Sequence, residues 1–256
     1  MKKSTGSRFS ISYVLLLTTA SLTGMPGMRG QDRWGGLNTN LADSWAARQT
    51  ASQGAQGKPA ELQVAKAPIP TRVLVQSPVE TDTELQIICL FESAPENTLH
   101  GSLVEANDKL NGLLERIRKP GLFRGEFGET ILLIPPGGTF GARKILIIGL
   151  GDSETFTPQR MELVGSIAYR ESNRLGIAHP FFAPTLLDGG VTKFTTGEVA
   201  ERFYGGFLRA ARTEKILTDA GASTGQIVKD LTYLAGATHA ADTKQGLERA
   251  LANSTN

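Results

Sequence analysis

The stretch RKILIIGLGDSETFTP, Arg143–Pro158, carries the reading on which the fold turns. Ile145, Leu146, Ile147 and Ile148 form a short, continuous apolar run rich in β-branched residues, the pattern of a strand buried on both faces. Gly149-Leu150-Gly151 then turns the chain. Thr157 is a good helix N-cap and Pro158 suits the first helical position, so a helix is expected to begin there. Met161, Val164, Ile167 and Ala168 would face the sheet. A buried strand, a glycine turn and a capped helix make an α/β unit.

The glycine pair raises the question of a nucleotide phosphate. A dinucleotide fingerprint needs G-x-G-x-x-G, but Asp152, Ser153 and Glu154 follow Gly151 and the third glycine is missing. Two carboxylates beside the turn repel an anion at the point where a helix N-terminus would attract one. No G-x-x-x-x-G-K-[ST] occurs in the chain. Gly149 and Gly151 stand as a weak cofactor-binding candidate beside the favoured reading, a structural corner, and no cofactor is expected.

Working outward, RVLVQS and LQIICLF read as strands, with the single cysteine, Cys89, as a small apolar core residue in the second. Leu103, Ala106, Leu110, Leu113 and Ile117 mark one face of an amphipathic helix ended by Pro120-Gly121. ETILLIPP and RKILIIGLG are expected as two buried strands. IAHPFFA reads as an edge strand, because Pro180 argues against a central place. Thr195-Thr196-Gly197-Glu198 fits a capping box ahead of Val199, Phe203, Phe207 and Ala211. IVKDLTYLAG supplies a last strand, and a final helix is expected from about Ala240 to Ala252. Strands separated by single helices imply a mixed or parallel sheet with helices on both faces.

The chain has 256 residues, 40% of them hydrophobic, which suits one sizeable domain with additional segments. Residues 1–30 read as a secretory signal: a basic start at Lys2 and Lys3, the apolar stretch ISYVLLLTTASLTG, then small and turn-prone residues. Removing the basic residues Lys2, Lys3, Arg8 and Arg29 turns a formal charge of +2 into −2, leaving no basic excess for nucleic acid. The expected location is periplasmic or secreted, with membrane contact only during export. Residues 31–70 have a linker-like composition, and the folded domain is expected over 71–256. Within the linker, Trp34, Leu37, Leu41 and Trp45 recur at helical spacing and offer a candidate docking face, on this domain or on a partner, against the plainer reading of a tether.

The run FRGEFGETILLIPPGGTFGARKILIIGLGDSETFTPQRMELVGSIAYR resembles the N-terminal domain of the leucyl (cytosol) aminopeptidase family of metallopeptidases, and GEVAERFYGGFLRAARTEK resembles the glycine-containing helix of the same domain. The resemblance extends over roughly Val73 to Leu251. It implies a three-layer α/β/α fold with a mixed central sheet, similar to macro domains. It also implies that the two-metal peptidase chemistry belongs to a C-terminal domain with an NTDAEGR signature, and nothing like that signature occurs in these residues.

The residues agree with that division. A two-metal hydrolase gathers several carboxylates around its ions, whereas the acids here are scattered singly. His100, His179 and His239 stand apart in sequence, Asp188-Gly189-Gly190 reads as a turn, and no G-x-S-x-G elbow occurs. No catalytic or metal-binding residues are expected. The favoured function is an exported, non-catalytic accessory or binding module. The alternatives are a subunit contributing to aminopeptidase activity with a separate catalytic chain, and a binder of ADP-ribose-type ligands. The candidate partners are a catalytic aminopeptidase chain or a second copy of this one.

Overall fold

The computed structural model describes residues 59–92 and 98–254. Residues 1–30, read as a signal, most of the expected linker and the stripe of Trp34, Leu37, Leu41 and Trp45 lie outside the described residues.

Seven strands form one sheet: β1 (Glu61–Gln63), β2 (Thr71–Leu74), β3 (Gln86–Leu90), β4 (Thr130–Leu133), β5 (Ile145–Gly149), β6 (Phe181–Ala183) and β7 (Leu231–Leu234), in the order β1-β2-β7-β6-β3-β5-β4. The five inner strands run parallel, and β1 and β4 close the two edges antiparallel. Helices α1 (Gly101–Lys109), α2 (Leu113–Arg118), α3 (Met161–Arg174), α4 (Thr196–Asp219) and α5 (Ala240–Ser254) cover the sheet. Two apolar cores result. One gathers α3, α4 and α5 over one face through Val164, Phe203, Phe207 and Leu247. The other packs α1 and α2 on the opposite face through Leu103, Leu110, Leu114 and Ile117. The architecture is the three-layer, mixed-sheet α/β/α arrangement expected.

β3, β5 and β7 are buried along their whole length, which is why their sequences lack the apolar-polar alternation of a half-exposed strand. Against them, Phe182 stacks on Phe203 with ring centroids 3.8 Å apart. Helices α3 and α4 approach so closely that a methyl group on Gly165 or Gly206 would collide with the carbonyl oxygen of Phe203 or Glu162. The capping box forms as read: Thr195 Oγ1 accepts the Glu198 amide at 3.1 Å, and a Glu198 carboxylate oxygen accepts the Thr195 amide at 2.9 Å.

Four expectations are corrected. The helix expected over 103–117 is two helices, because Asn111 (φ 53°) and Gly112 (φ 73°) both take left-handed backbone between them. The second helix still presents Leu114 and Ile117 to the same core, so the apolar spacing continues through the break. β4 is an edge strand instead of a buried one: Ile131 and Leu133 pack on the core while Leu132 and Ile134 face outward. β6 is central instead of peripheral. Pro180 precedes its first residue, so the missing N–H falls outside the ladder, and the Pro180 carbonyl accepts the Thr232 amide at 3.1 Å. Finally, the linker drawn to residue 70 ends earlier, since Glu61–Gln63 pairs with β2 and Val64 is buried.

Candidate functional site

The corner after β5 is filled by the protein's own chain. The Gly149 amide donates to the Glu129 carbonyl (2.8 Å), the Leu150 amide to Leu90 (2.8 Å) and the Gly151 amide to Gly125 (2.9 Å). A phosphate at this turn would need those N–H groups, and all three are spent. Gly149 is glycine because the segment 125–126 lies directly against it: a methyl group there would collide with the Glu126 carbonyl oxygen and the Gly125 backbone. Gly151 takes φ 77°, open to glycine at little cost. Arg160 reaches back from the first turn before α3 and donates to the carbonyls of Leu150 (3.2 Å) and Asp152 (3.4 Å), with its guanidinium 5.2 Å from the Phe127 ring centre.

A cavity of about 470 Å³ opens at the same end of the sheet, beyond β2, β6 and β7. Open α/β sheets bind ligands outside the carboxyl ends of their parallel strands. Three connections form its walls: 75–78 after β2, 184–191 after β6 and 235–239 after β7. Its lining is mainly apolar, with Pro78, Leu186, Val191, Phe194, Val199 and Leu234, and includes no lysine or arginine.

The polar groups around it fall into two kinds. Asp188 and Asp242 bind the starts of helices. Asp188 Oδ2 accepts the Ser102 hydroxyl at 2.6 Å in the first turn of α1, and Asp242 Oδ2 accepts the Gly197 amide at 2.6 Å and the Thr196 hydroxyl at 2.8 Å in the first turn of α4. Two of the helix N-termini that an anion would seek thus already face carboxylates. Thr185 and Tyr233 are buried. Thr185 sits at φ 51°, uncommon for a β-branched residue, and its hydroxyl donates to the Cys89 carbonyl (2.6 Å) while accepting the Cys89 amide (3.0 Å). It takes over the backbone pairing of β3 where β6 has ended. Tyr233 is 1% exposed, and its hydroxyl has no hydrogen-bond partner among the described residues. Burial, and secondarily the neighbouring Cys89, push its pKa well above the usual value, so it stays a neutral donor.

The three histidines lie apart. His239 lines the cavity, the Nε2 of His100 lies 3.0 Å from the Thr98 hydroxyl, and the Nδ1 of His179 lies 2.5 Å from Asp230. Cys89 is buried, and desolvation raises its thiol pKa, which suits a core residue and not a nucleophile. Among the described residues no group of three or more His, Cys, Asp and Glu side chains is placed to hold a metal ion. Their singly placed carboxylates do not fit a two-metal peptidase centre.

Residues 87–203 match the N-terminal domain of the cytosol aminopeptidase family. Over these residues the chain is similar to a cytosol aminopeptidase N-terminal domain. Among curated relatives, the probable cytosol aminopeptidase of Thermosynechococcus vestitus is 30% identical over 104 residues, 38% of this chain and 20% of that protein. The probable cytosol aminopeptidase of Ehrlichia ruminantium is 27% identical over 138 residues, 54% of this chain and 25% of that one. The chain thus covers a quarter or less of the length of these aminopeptidases. Among solved structures, a mutant of tomato leucine aminopeptidase aligns with TM-score 0.53 at 19% identity, over 77% of this chain and 38% of that one. A mutant Oceanobacillus iheyensis macrodomain aligns with TM-score 0.50 at 13% identity, over 78% of this chain and 98% of that one. Both likenesses concern the fold.

The cavity was not anticipated from the sequence. Asp188-Gly189-Gly190 does turn the chain, with Gly190 at φ 83°, but Asp188 also holds the start of α1 and lines the cavity. The available signal was position: the segment PTLLDGG follows directly on a parallel strand, where such sheets place their binding loops.

Proposed function

We propose that the protein is an exported, non-catalytic binding or accessory module of the aminopeptidase N-terminal type, working through the cavity at the carboxyl ends of β2, β6 and β7. The supporting observation is that cavity itself: a concave, mainly apolar space of ligand size with a few fixed polar groups, on a domain whose described carboxylates do not gather into a two-metal centre. The purified protein with added zinc or manganese is expected to release no leucine from a chromogenic leucyl substrate. Metal-dependent release by contaminant-free protein would overturn the non-catalytic reading. Export rests on the segment beginning Met1-Lys2-Lys3, and fractionation of the native host tests it: a full-length cytoplasmic product refutes it.

A second reading, a subunit that supports aminopeptidase activity with a separate catalytic chain, draws on the relatives, in which the matched segment is a small part of a longer aminopeptidase. Raised activity of a catalytic aminopeptidase chain on mixing with this protein would favour it. The ADP-ribose-type reading has the cavity's position in its favour and its charge against it, since the carboxylates of Asp188 and Asp242 occupy two of the helix N-termini a diphosphate would use.

A further inference from the structure

The two edges of the sheet differ in what they offer another chain. β1 is short and carries charge: Glu61 pairs with Arg72 at 3.9 Å, and Gln63 donates to the Glu61 carboxylate. Charged side chains protect an edge strand from pairing with a foreign one. β4 and the residue after it, Thr130-Ile131-Leu132-Leu133-Ile134, hold no charge. Leu132 is 40% exposed and Ile134 77%.

The hydrogen bonds of β5 show which backbone groups of β4 lie open. Successive amides of β5 and its exit alternate in direction: Gly149 donates to Glu129, just ahead of β4, and Leu150 donates to Leu90 of β3. Ile131 lies opposite Ile147 and Leu133 opposite Ile145, so these are the β4 residues bonded to β5. The amides and carbonyls of Thr130 and Leu132 point away from the sheet. Pro135 holds Ile134 extended, and its groups continue the outward row. On that side Thr130, Leu132 and Ile134 make no backbone hydrogen bond among the described residues. Thr130 and Leu132 lie opposite Ile148 and Leu146 of the core beneath α3 and α4, so their side chains share that face. Leu163 of α3, 39% exposed, borders it beside Gly128.

We propose that β4 is a pairing edge for a second copy of this chain, joining two sheets into one by antiparallel β4–β4 contact about a two-fold axis. The open groups select a single register. Centring on Leu132 places Leu132 opposite Leu132 and Thr130 opposite Ile134 of the other copy, so each outward amide meets an outward carbonyl. A shift toward the start of the strand brings in Gly128, whose amide is already given to the Gly149 carbonyl. A shift toward its end brings in Pro136, which has no N–H. Side chains agree with the same register, since the two leucines meet at the axis and the smaller Thr130 faces Ile134. An edge that satisfies its own open groups in one register fits a copy of itself. The ladder and these side chains cover about half the area per partner of a standard interface, the scale of a weak, concentration-dependent dimer. β3 and β5 stand between β4 and the strands that border the cavity, so pairing leaves the cavity open.

The test is sedimentation velocity of the full chain from about 5 to 500 µM, a span suited to a weak association, with amide hydrogen exchange read at both ends. The chain is expected to shift from monomer to dimer across that range. At the high end the amides of Thr130, Leu132 and Ile134 should exchange severalfold more slowly, while those of Ile131 and Leu133, already bonded to β5, stay unchanged. Leu132→Lys and Ile134→Lys should each weaken the dimer about tenfold or more, because a charge on the edge opposes pairing. Both side chains are exposed, so the melting temperature of the dilute protein should hold in both variants. A chain that stays monomeric throughout overturns the proposal and leaves the edge to a different protein. A dimer that both lysine variants retain belongs to another surface and overturns it too. Outward amides already protected at the low end would mean that the chain's own residues cover the edge, which also refutes the pairing.

Discussion

The loop after β5 and the loop after β6 leave the same end of the same sheet, both at carboxyl ends of parallel strands. In the first, the amides of Gly149, Leu150 and Gly151 donate to carbonyls of neighbouring segments, and Arg160 caps the carbonyls that remain. In the second, the chain passes over Thr185 and Asp188, a cavity of about 470 Å³ stays open and the Tyr233 hydroxyl has no hydrogen-bond partner among the described residues. The loop with the glycine motif is the closed one, and the loop with no recognisable motif borders the open space. Glycine permits close approach of any backbone, and after β5 the approaching backbone is the protein's own.

Substitutions at four positions test that contrast. Gly149→Ala should have the largest effect, a loss of about 3 kcal/mol or more in a urea unfolding curve, because the new methyl group meets backbone atoms of 125–126 that have little room to retreat. A loss under about 1 kcal/mol would mean that the corner is not packed shut. Thr185→Val should cost about 2 kcal/mol, since it strips the hydroxyl from the Cys89 amide and carbonyl in a buried setting. Thr185→Ser keeps both bonds and should lose well under half as much; equal losses would assign the effect to packing of the methyl group. Arg160→Ala removes three hydrogen bonds, to the Leu150 and Asp152 carbonyls and the Thr155 hydroxyl, and the contact with Phe127 from a half-buried position, for an expected cost of about 1 kcal/mol by thermal denaturation. Tyr233→Phe should change stability least, within about 0.5 kcal/mol and toward stabilisation, because the deleted hydroxyl makes no hydrogen bond among the described residues. A clear destabilisation would reveal a partner for that hydroxyl inside the protein and close the contrast between the two loops.

The N-terminal arm is a separate matter. If Trp34 and Trp45 dock, their fluorescence should be blue-shifted and protected from quenching, and replacing both with alanine should weaken partner binding, whereas a plain tether would leave both indoles freely quenched and binding unchanged. Fluorescence quenching of the full-length protein, alone and with candidate partners, separates the two readings.

Much of the fold was legible because its signals are local. The apolar runs of β3, β5 and β7, the Thr195–Glu198 capping box and the four-residue apolar spacing of α4 depend on neighbours a few positions away, and each appears where the pattern places it. The errors fell where local pattern and neighbourhood diverge. Apolar residues in β4 suggested burial, yet the strand lies at the sheet edge with no strand beyond it among the described residues. Pro180 suggested an edge, yet it precedes a central strand. Asn111-Gly112 broke a helix whose apolar face continued through the break.

The sequence by itself determined the alternation of strands and helices, the turn at Gly149-Leu150-Gly151 and the cap of α4, because backbone propensity, hydrophobic period and side-chain capping act over a few residues. Only the tertiary structure decided that the turn's amides were taken and that a cavity lay elsewhere. That cavity brings together residues near 77, 102, 185, 196 and 233–239, far apart in the chain. Whether a donor there is satisfied or left over depends on distances set by the packed sheet and helices, which no local pattern encodes.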